Sequence, residues 1–241
     1  VQCEEINIIS EKFKAIFVDD CTATNLPVKL AKYFPGNVSR GEKKSVAKIH
    51  ALYNFTKNNF SFLDIHSFAN NDQSLSPNVL SYLKPGDLIL RDLGFQVISV
   101  QRLLISNGVF LISRKKFGTK IYDEKSGKEL TFKKLLGKKG WFDGYVLVGK
   151  TEQLKMRMVV TALPKDKANE RRRKERKNRD KRMNHSLEYY NQLGYTILLT
   201  NVPAEICSRK EIGQVYGLRW RIETIFKTWK SHFSLEEIIP N

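Results

Sequence analysis

Ala15-Ile-Phe-Val-Asp-Asp20 is a short apolar, β-branched run that closes on two acids, the pattern of a buried strand whose last residues emerge at the edge of a sheet. Asp87-Leu-Ile-Leu-Arg-Asp92 repeats the pattern further along the chain. Two strands that end on carboxylates put acids at one rim of a sheet, where sites are built. Successive side chains of a strand point to opposite faces, so only one of Asp19 and Asp20 can face such a site. Between the two runs, Ser45 to Phe55 and Phe60 to Phe68 flank the polar Thr56-Lys-Asn-Asn59 as a hairpin. A short helix is expected from the Ser-x-Pro stretch at Pro77 to Leu83, then a turn at Pro85-Gly86. Val97, Val100, Leu103 and Leu104 have helical spacing, with Asn107-Gly108 as a stop and a strand over 109–112.

From Lys115 to Thr161 short apolar runs alternate with glycine and charged turns, which reads as a β-rich insertion. A helix over 186–193 and a core strand, Tyr195-Thr-Ile-Leu-Leu-Thr-Asn201, come next. Ser208 caps a helix that opens Arg209-Lys-Glu211, and a longer helix is predicted from about Leu218 to Phe233. Strands and helices alternating in this way predict an α/β class: a mixed sheet flanked by helices and interrupted by the insertion. The division expected is a core over 1–112 carrying both acidic strand ends, an insertion with a basic arm over 113–193, and a second core part over 194–241.

The chain has 241 residues, with 42 Lys and Arg against 25 Asp and Glu, a net charge of +17. That size buries a sizeable core without disulfides, and such a balance attracts polyanions, nucleic acid before an anionic membrane surface. The charge is concentrated: 114–139 contributes +7 and 168–182 contributes +6, together 13 of the 17. Within the second run, Glu170 lies four before Lys174 and Glu175 four before Arg179, the spacing of a solvent-exposed helix or a partly disordered arm. Either could follow a phosphate backbone, with Arg171, Arg172 and Arg173 as candidate contacts. No apolar stretch reaches the roughly 20 residues of a membrane-spanning helix. Cys3, Cys21 and Cys207 are widely spaced and odd in number, which fits a reducing cytoplasm better than a disulfide or zinc framework. A start at Val1 without a leader is consistent with a segment of a longer protein.

Near the C-terminus, Tyr216, Arg219, Glu223 and Lys230 are spaced three, four and seven apart. On a continuous helix, at about 100° per residue, they fall within an arc of roughly 60°. Ile222, Ile225, Phe226 and Trp229 would dock the same helix on the sheet. A phenol, a guanidinium, a carboxylate and an amine in line suit phosphates and a metal. Spacing alone equally describes a surface stripe with an Arg-to-Glu pair.

This Y-x2-R-x3-E-x6-K pattern resembles the signature of bacterial insertion-sequence DDE transposases of the insertion sequence four group. Asp20-Cys-Thr22 with Leu26-Pro27 and Phe34-Pro-Gly36 resembles the segment around that family's first catalytic acid. Gly86-Asp-Leu-Ile-Leu-Arg-Asp92-Leu-Gly-Phe95 resembles the second, and Thr200-Asn-Val-Pro203 also matches. The similarity spans about residues 14 to 233. It implies an RNase H-like fold, a mixed sheet flanked by helices with a β-rich insertion before the helix that bears the glutamate. It further implies that Asp20, Asp92 and Glu223 bind two divalent ions, normally Mg2+ with Mn2+ able to substitute, and that Tyr216, Arg219 and Lys230 contact phosphates of the transposon end. Carboxylate oxygens are the hard ligands magnesium prefers, and two ions about 4 Å apart suit an in-line displacement. The activity implied is metal-dependent nicking at the element's end, then strand transfer of the freed 3′ hydroxyl into target DNA. Its partners would be double-stranded DNA and a second copy of the protein on that DNA, without a membrane, in the bacterial cytoplasm at the nucleoid. The family normally carries an N-terminal end-recognition region and often a C-terminal dimerisation region, neither of which this chain holds at full length.

The D-x-T context selects Asp20 over Asp19, although Cys21 stands where a small residue such as serine is usual. The D-x-G-F context selects Asp92 over Asp72 or Asp87. His50, His66, His185 and His232 lack metal-ligand spacing and read as structural or surface residues. Trp141 is either a stacking platform for an unpaired base or packed within the insertion. Two rival functions remain at this level: a non-catalytic DNA-binding remnant of a transposase, and another RNase H-like nuclease such as a resolvase, which would not need the Tyr-Arg-Lys stripe.

Overall fold

A computed structural model describes residues 11–36, 44–178 and 185–232. Cys3, Arg179 with its spacing from Glu175, and the expected helix end at Phe233 lie outside these residues. The strands are β1 (Ile16–Leu26), β2 (Ser45–Asn54), β3 (Asn59–Ser67), β4 (Leu88–Arg91), β5 (Phe110–Arg114), β6 (Ile121–Tyr122), β7 (Phe142–Val148), β8 (Leu154–Ala162) and β9 (Tyr195–Thr200). They form one nine-stranded sheet in the order β3-β2-β1-β4-β5-β9-β8-β7-β6. β1, β2 and β3 are antiparallel, whereas β4 runs parallel to β1 and β5 parallel to β4. That five-strand order, with helices on the faces, is the RNase H-like mixed sheet. The strands of 121–162 are not a separate sheet, because β8 pairs antiparallel with β9 and prolongs the core.

The helices are α1 (Asp72–Leu75), α2 (Ile98–Ser106), α3 (Phe132–Leu136), α4 (Lys165–Asn178), α5 (Leu187–Gln192), α6 (Arg209–Gly217) and α7 (Trp220–Ser231). Strand alternation sorts the apolar residues into two cores. Ile16, Val18, Leu88, Leu90 and Ile112 meet Ile212 and Val215 of α6 and Ile222 and Phe226 of α7. On the opposite face Phe17, Leu52, Ile89 and Leu111 meet Val100 and Leu104 of α2 and, further along, Phe132 of α3. Full burial of each such side chain stabilises by about 1.5–3 kcal/mol, so the sheet is held from both sides.

Local chemistry explains several sequence landmarks. Ser208 and Glu211 form a capping box at the start of α6, satisfying two backbone donors that the helix leaves free. In the Thr200-Asn201 pair, the Thr200 hydroxyl donates to Leu111 O at 2.6 Å, and the Asn201 amide accepts from Leu111 N at 2.8 Å and donates to Val109 O at 2.9 Å. These side chains stand in for ladder bonds where β9 leaves β5. Arg157, almost fully buried, grips Asp143 through Nε at 2.7 Å and Nη2 at 2.8 Å. Its Nη1 donates to Val202 O at 3.1 Å and Cys207 O at 2.7 Å. The strand pair β7–β8 is thereby tied to the loop that leads into α6.

Candidate active site

The two expected acids lie side by side on neighbouring strands, but only Asp92 is at a strand end. Strand β1 does not close on its acids as expected: it runs on to Leu26, paired with β2, so Asp20 sits mid-strand where the β1–β4 ladder stops. Asp20 lies on the β1 face that carries Ile16 and Val18, and Asp92 follows the last residue of β4. Asp19 is on the other face, fully buried, so alternation places it away from the pocket. Asp87 caps a turn by accepting from Lys84 N at 2.8 Å, and Asp72 is ion-paired to Lys48 at 2.8 Å. Asp72 also explains Gly94: a Cβ there would lie 2.6 Å from the Asp72 carboxylate. Glycine in the Asp92-Leu-Gly-Phe95 stretch therefore lets α1 close on the segment after Asp92.

The third acid arrives on α7. The helix assumed continuous from the spacing is broken: α6 ends at Gly217 and α7 starts at Trp220, so Tyr216 and Glu223 belong to different helices. The break still delivers both side chains to the same place. Arg219, in the junction, contacts Asp20 Oδ2 through Nη1 at 3.2 Å and Glu223 Oε1 through Nη2 at 2.6 Å. The buried Tyr216 hydroxyl donates to Asp92 Oδ1 at 3.4 Å and Arg91 O at 3.3 Å. Arg114, at the end of β5, adds a cation 3.8 Å from Asp92. Asp20, Asp92, Arg219, Glu223, Lys227 and Lys230 line one open pocket of about 300 Å3. Arg114 is a residue that the motif spacing does not signal, since its basic neighbours in sequence mask it.

Burial and neighbouring charges shift several groups at this pocket. Burial pushes the Asp20 carboxyl up to about 7; Arg219 and the Cys21 amide pull it down, and the charges of Asp92 and Glu223 push it up again. Burial and the neighbouring Asp92 raise the Tyr216 phenol well above its ordinary value, so it acts as a neutral donor. Arg219 stays charged although burial opposes it, because Tyr216, Asp92, Asp20 and Glu223 surround it. Cys21 is a partly exposed free thiol in the same pocket, and its pKa is raised, chiefly by burial. A thiol held protonated is a poor metal ligand and a poor nucleophile.

Carboxylates that repel one another in a half-buried pocket are the donor set a divalent cation stabilises. The donor chemistry therefore fits a metal. The spacing shown is narrower in scope: the acids expected to share ions are gathered on one pocket, but the Arg219 guanidinium joins two of them. Among the described residues no group of three or more His, Cys, Asp and Glu is close enough to hold an ion.

The basic helix α4 spans 14 residues. Arg173, Lys174, Arg176 and Lys177 are exposed, and Glu170 pairs with Lys174 at 2.8 Å as the spacing predicts. Arg171 and Arg172 turn back onto the protein, donating to Tyr195 O at 3.4 Å and Tyr190 O at 3.0 Å. Trp141, just over a third exposed, lies under the Arg209 guanidinium at 4.3 Å, with Lys139 at 5.2 Å. His50 is buried against Asp19, His66 contacts Asp64, and His185 stacks on Tyr189; none enters the pocket.

The sequence model of the Transposase DDE domain family matches residues 16–238. The chain belongs to that family. It is similar to the transposase for insertion sequence element IS231E of Bacillus thuringiensis subsp. finitimus, 28% identical over 245 residues, covering 93% of this chain and 51% of the relative. The transposase for IS231C of Bacillus thuringiensis subsp. berliner is also 28% identical, over 243 residues, covering 92% and 51%. The transposase for IS1151 of Clostridium perfringens is 24% identical over 257 residues, covering 94% and 52%. The chain thus spans about half the length of these relatives. In this bacterial insertion-sequence DDE transposase domain Asp20 lies within β1, Asp92 just past β4 and Glu223 on α7. No helix among its described residues is long and apolar enough to cross a membrane.

Proposed function

We propose that this chain is the catalytic core of an insertion-sequence transposase, cutting DNA at the element's ends and joining the freed 3′ hydroxyl to target DNA. The observation that carries this reading is the shared pocket of Asp20, Asp92 and Glu223, walled by Arg219, Lys227 and Lys230. Asp20, Asp92 and Glu223 are the residues that would hold two divalent ions, Mg2+ with Mn2+ able to substitute. Such ions, when bound, supply an activated attacking oxygen and charge neutralisation at the leaving one.

The chain's own groups supply the rest. Tyr216, as a neutral donor, orients the Asp92 carboxylate. Arg219 exchanges its carboxylate partners for phosphate oxygens as DNA enters, and its planar fork suits both. Lys230 and Lys227 add point charges along the same wall. Across the surface, Arg173, Lys174, Arg176 and Lys177 of α4 follow a phosphate backbone without reading sequence, and a second copy of the protein on the DNA completes the assembly. Arg171 and Arg172 contribute from the half-buried side of that helix. The site of action is the bacterial nucleoid.

The test incubates the chain with end-labelled duplex carrying candidate element ends, in Mg2+ and in Mn2+. A nick that leaves a 3′ hydroxyl and vanishes in Asp92→Asn and Glu223→Gln is the expected outcome. DNA binding without any nick in either metal would instead favour a non-catalytic, DNA-binding remnant. That second reading has its own support in the Arg219 bridge between Asp20 and Glu223. An affinity that barely changes between 50 and 200 mM salt would count against the phosphate-tracking role of α4.

A further inference from the structure

Behind the pocket, on the opposite face of the sheet, lies a second set of charged residues that the motif does not include. Asp19 and His50 are fully buried and Arg91 nearly so. The Asp19 carboxylate is 2.8 Å from Arg91 Nε through one oxygen and 2.7 Å from His50 Nε2 through the other. Arg91 continues the network, with Nη1 donating to Ser76 Oγ at 2.9 Å and Nη2 to Ser76 O at 2.7 Å. Ser76 Oγ in turn donates to Phe95 O at 3.3 Å, and the His50 ring stacks on Phe95 at 5.5 Å.

The position of this network in the ladder matters more than its burial. β1 and β4 pair in parallel from Ile16↔Leu88 to Asp19↔Arg91, and the pairing stops there. The next residues on the two strands are Asp20 and Asp92. Beyond the last rung β1 continues only with β2, so no ladder bond fixes the distance between these two acids. The Asp19–Arg91 bridge closes the ladder at the point of divergence. Through Ser76 the same guanidinium is linked to Phe95, so Asp92 is held on both its N-terminal and C-terminal sides.

We propose that Asp19, Arg91 and Ser76 are positioning residues: a buried clamp, steadied by His50, that sets the Asp20 to Asp92 separation and so the affinity of the pocket for divalent cations. This rests on the metal-dependent reading above. Residues that orient metal ligands from behind typically cost 10–100-fold in metal affinity when altered. Buried ion pairs are weak contributors to net stability, which leaves geometry as the function this one serves.

The experiment titrates Mn2+ into the chain and reads the free ion by electron paramagnetic resonance, with thermal unfolding measured on every variant. Asp19→Asn/Arg91→Gln removes both charges together and avoids an unpaired one. Ser76→Ala keeps both charges and the Nη2 bond to the carbonyl of residue 76, and removes only the hydroxyl that joins Arg91 Nη1 to Phe95 O. Expected is about tenfold weaker Mn2+ binding in the double variant and about threefold in Ser76→Ala, both with unfolding midpoints close to the parent. Parent-like Mn2+ affinity in either folded variant overturns the proposal and leaves the metal reading intact. Should the double variant not fold, Ser76→Ala alone decides. A parent chain that binds no Mn2+, or binds it equally well as Asp20→Asn and Glu223→Gln, overturns the metal reading and the clamp with it.

Discussion

Asp19 and Asp20 follow one another on β1, yet Asp19 is sealed between Arg91 and His50 while Asp20 opens onto a pocket beside Arg219 and Glu223. Both meet an arginine. The first arginine comes from the neighbouring strand at the closing rung of the ladder, and the second from a helix junction on the other face. Asp19 thus has its charge matched within a sealed core, whereas Asp20 shares an open pocket with Asp92 and Glu223 and with the cations Arg219, Lys227 and Lys230. One strand separates a sealed electrostatic arrangement from an open one, and the open side is where a cation or a phosphate can enter.

Substitutions test the contrast most directly. Arg91→Met strands the Asp19 carboxylate in the core, and removal of one partner of a buried pair costs about 3–5 kcal/mol. Urea unfolding should show that loss, with a fall in Tm of roughly 10 °C for a chain of this size. Asp20→Asn should behave in the opposite way. Its unfolding free energy should stay equal to the parent's or rise, while strand cleavage falls by about a hundredfold or more, the equivalent of about 3 kcal/mol of transition-state stabilisation. If Asp20→Asn proves the less stable of the two variants, the contrast between the faces is broken.

The pH dependence of stability sharpens the same point. In the metal-free chain the folded Asp20 carboxyl is raised to about 7 from its ordinary 3.8. Below that ordinary value both folded and unfolded chains are protonated and the group is neutral in effect. Between about pH 4 and 7 the unfolded chain has released a proton that the folded chain keeps, so stability falls as pH rises through this window. The fall attributable to Asp20 should be about 1–2 kcal/mol, smaller than the full shift implies because the side chain retains some solvent contact. Asp20→Asn should flatten it in urea titrations at pH 4.5 and 7. A smaller effect is expected from Gly94→Ala, about 1 kcal/mol, since the new Cβ meets the partly exposed Asp72 carboxylate, which can shift aside.

Much of this was legible before any coordinates. The strand end at Asp92, the hairpin at Thr56–Asn59 and the capped start of α6 follow from alternation, turn residues and capping chemistry, all local in sequence, whereas the run of β1 past Asp20 to Leu26 depends on its pairing with β2. The choice of Asp20 over Asp19 came from motif context, and alternation could say only that one of them faces away. The break between α6 and α7 was hidden, because Leu218 and Arg219 keep helical backbone angles and no proline marks the junction. The partners of Asp19 were hidden for a different reason. Arg91, His50 and Ser76 lie far from it in sequence, and a buried arginine at a strand end reads from sequence as one more surface cation. Arg114 likewise gains its meaning only from the parallel pairing of β4 and β5. Such contacts depend on register across the sheet, which no spacing along the chain encodes.

The unbroken sheet has a mechanical consequence. A lobe joined by a flexible neck could rock to meet its substrate, but β8 shares backbone rungs with β9 on one side and β7 on the other, and Arg157 rivets the pair to the approach of α6. Helix α4 leaves directly from the end of β8 and is braced near its middle, where Arg171 and Arg172 donate to Tyr195 O and Tyr190 O. The span from its cations to the Asp20 and Asp92 carboxylates is consequently a fixed gauge length. On the proposed DNA-binding reading, a duplex lying across both would meet that length as a set distance, with the sheet as the calliper.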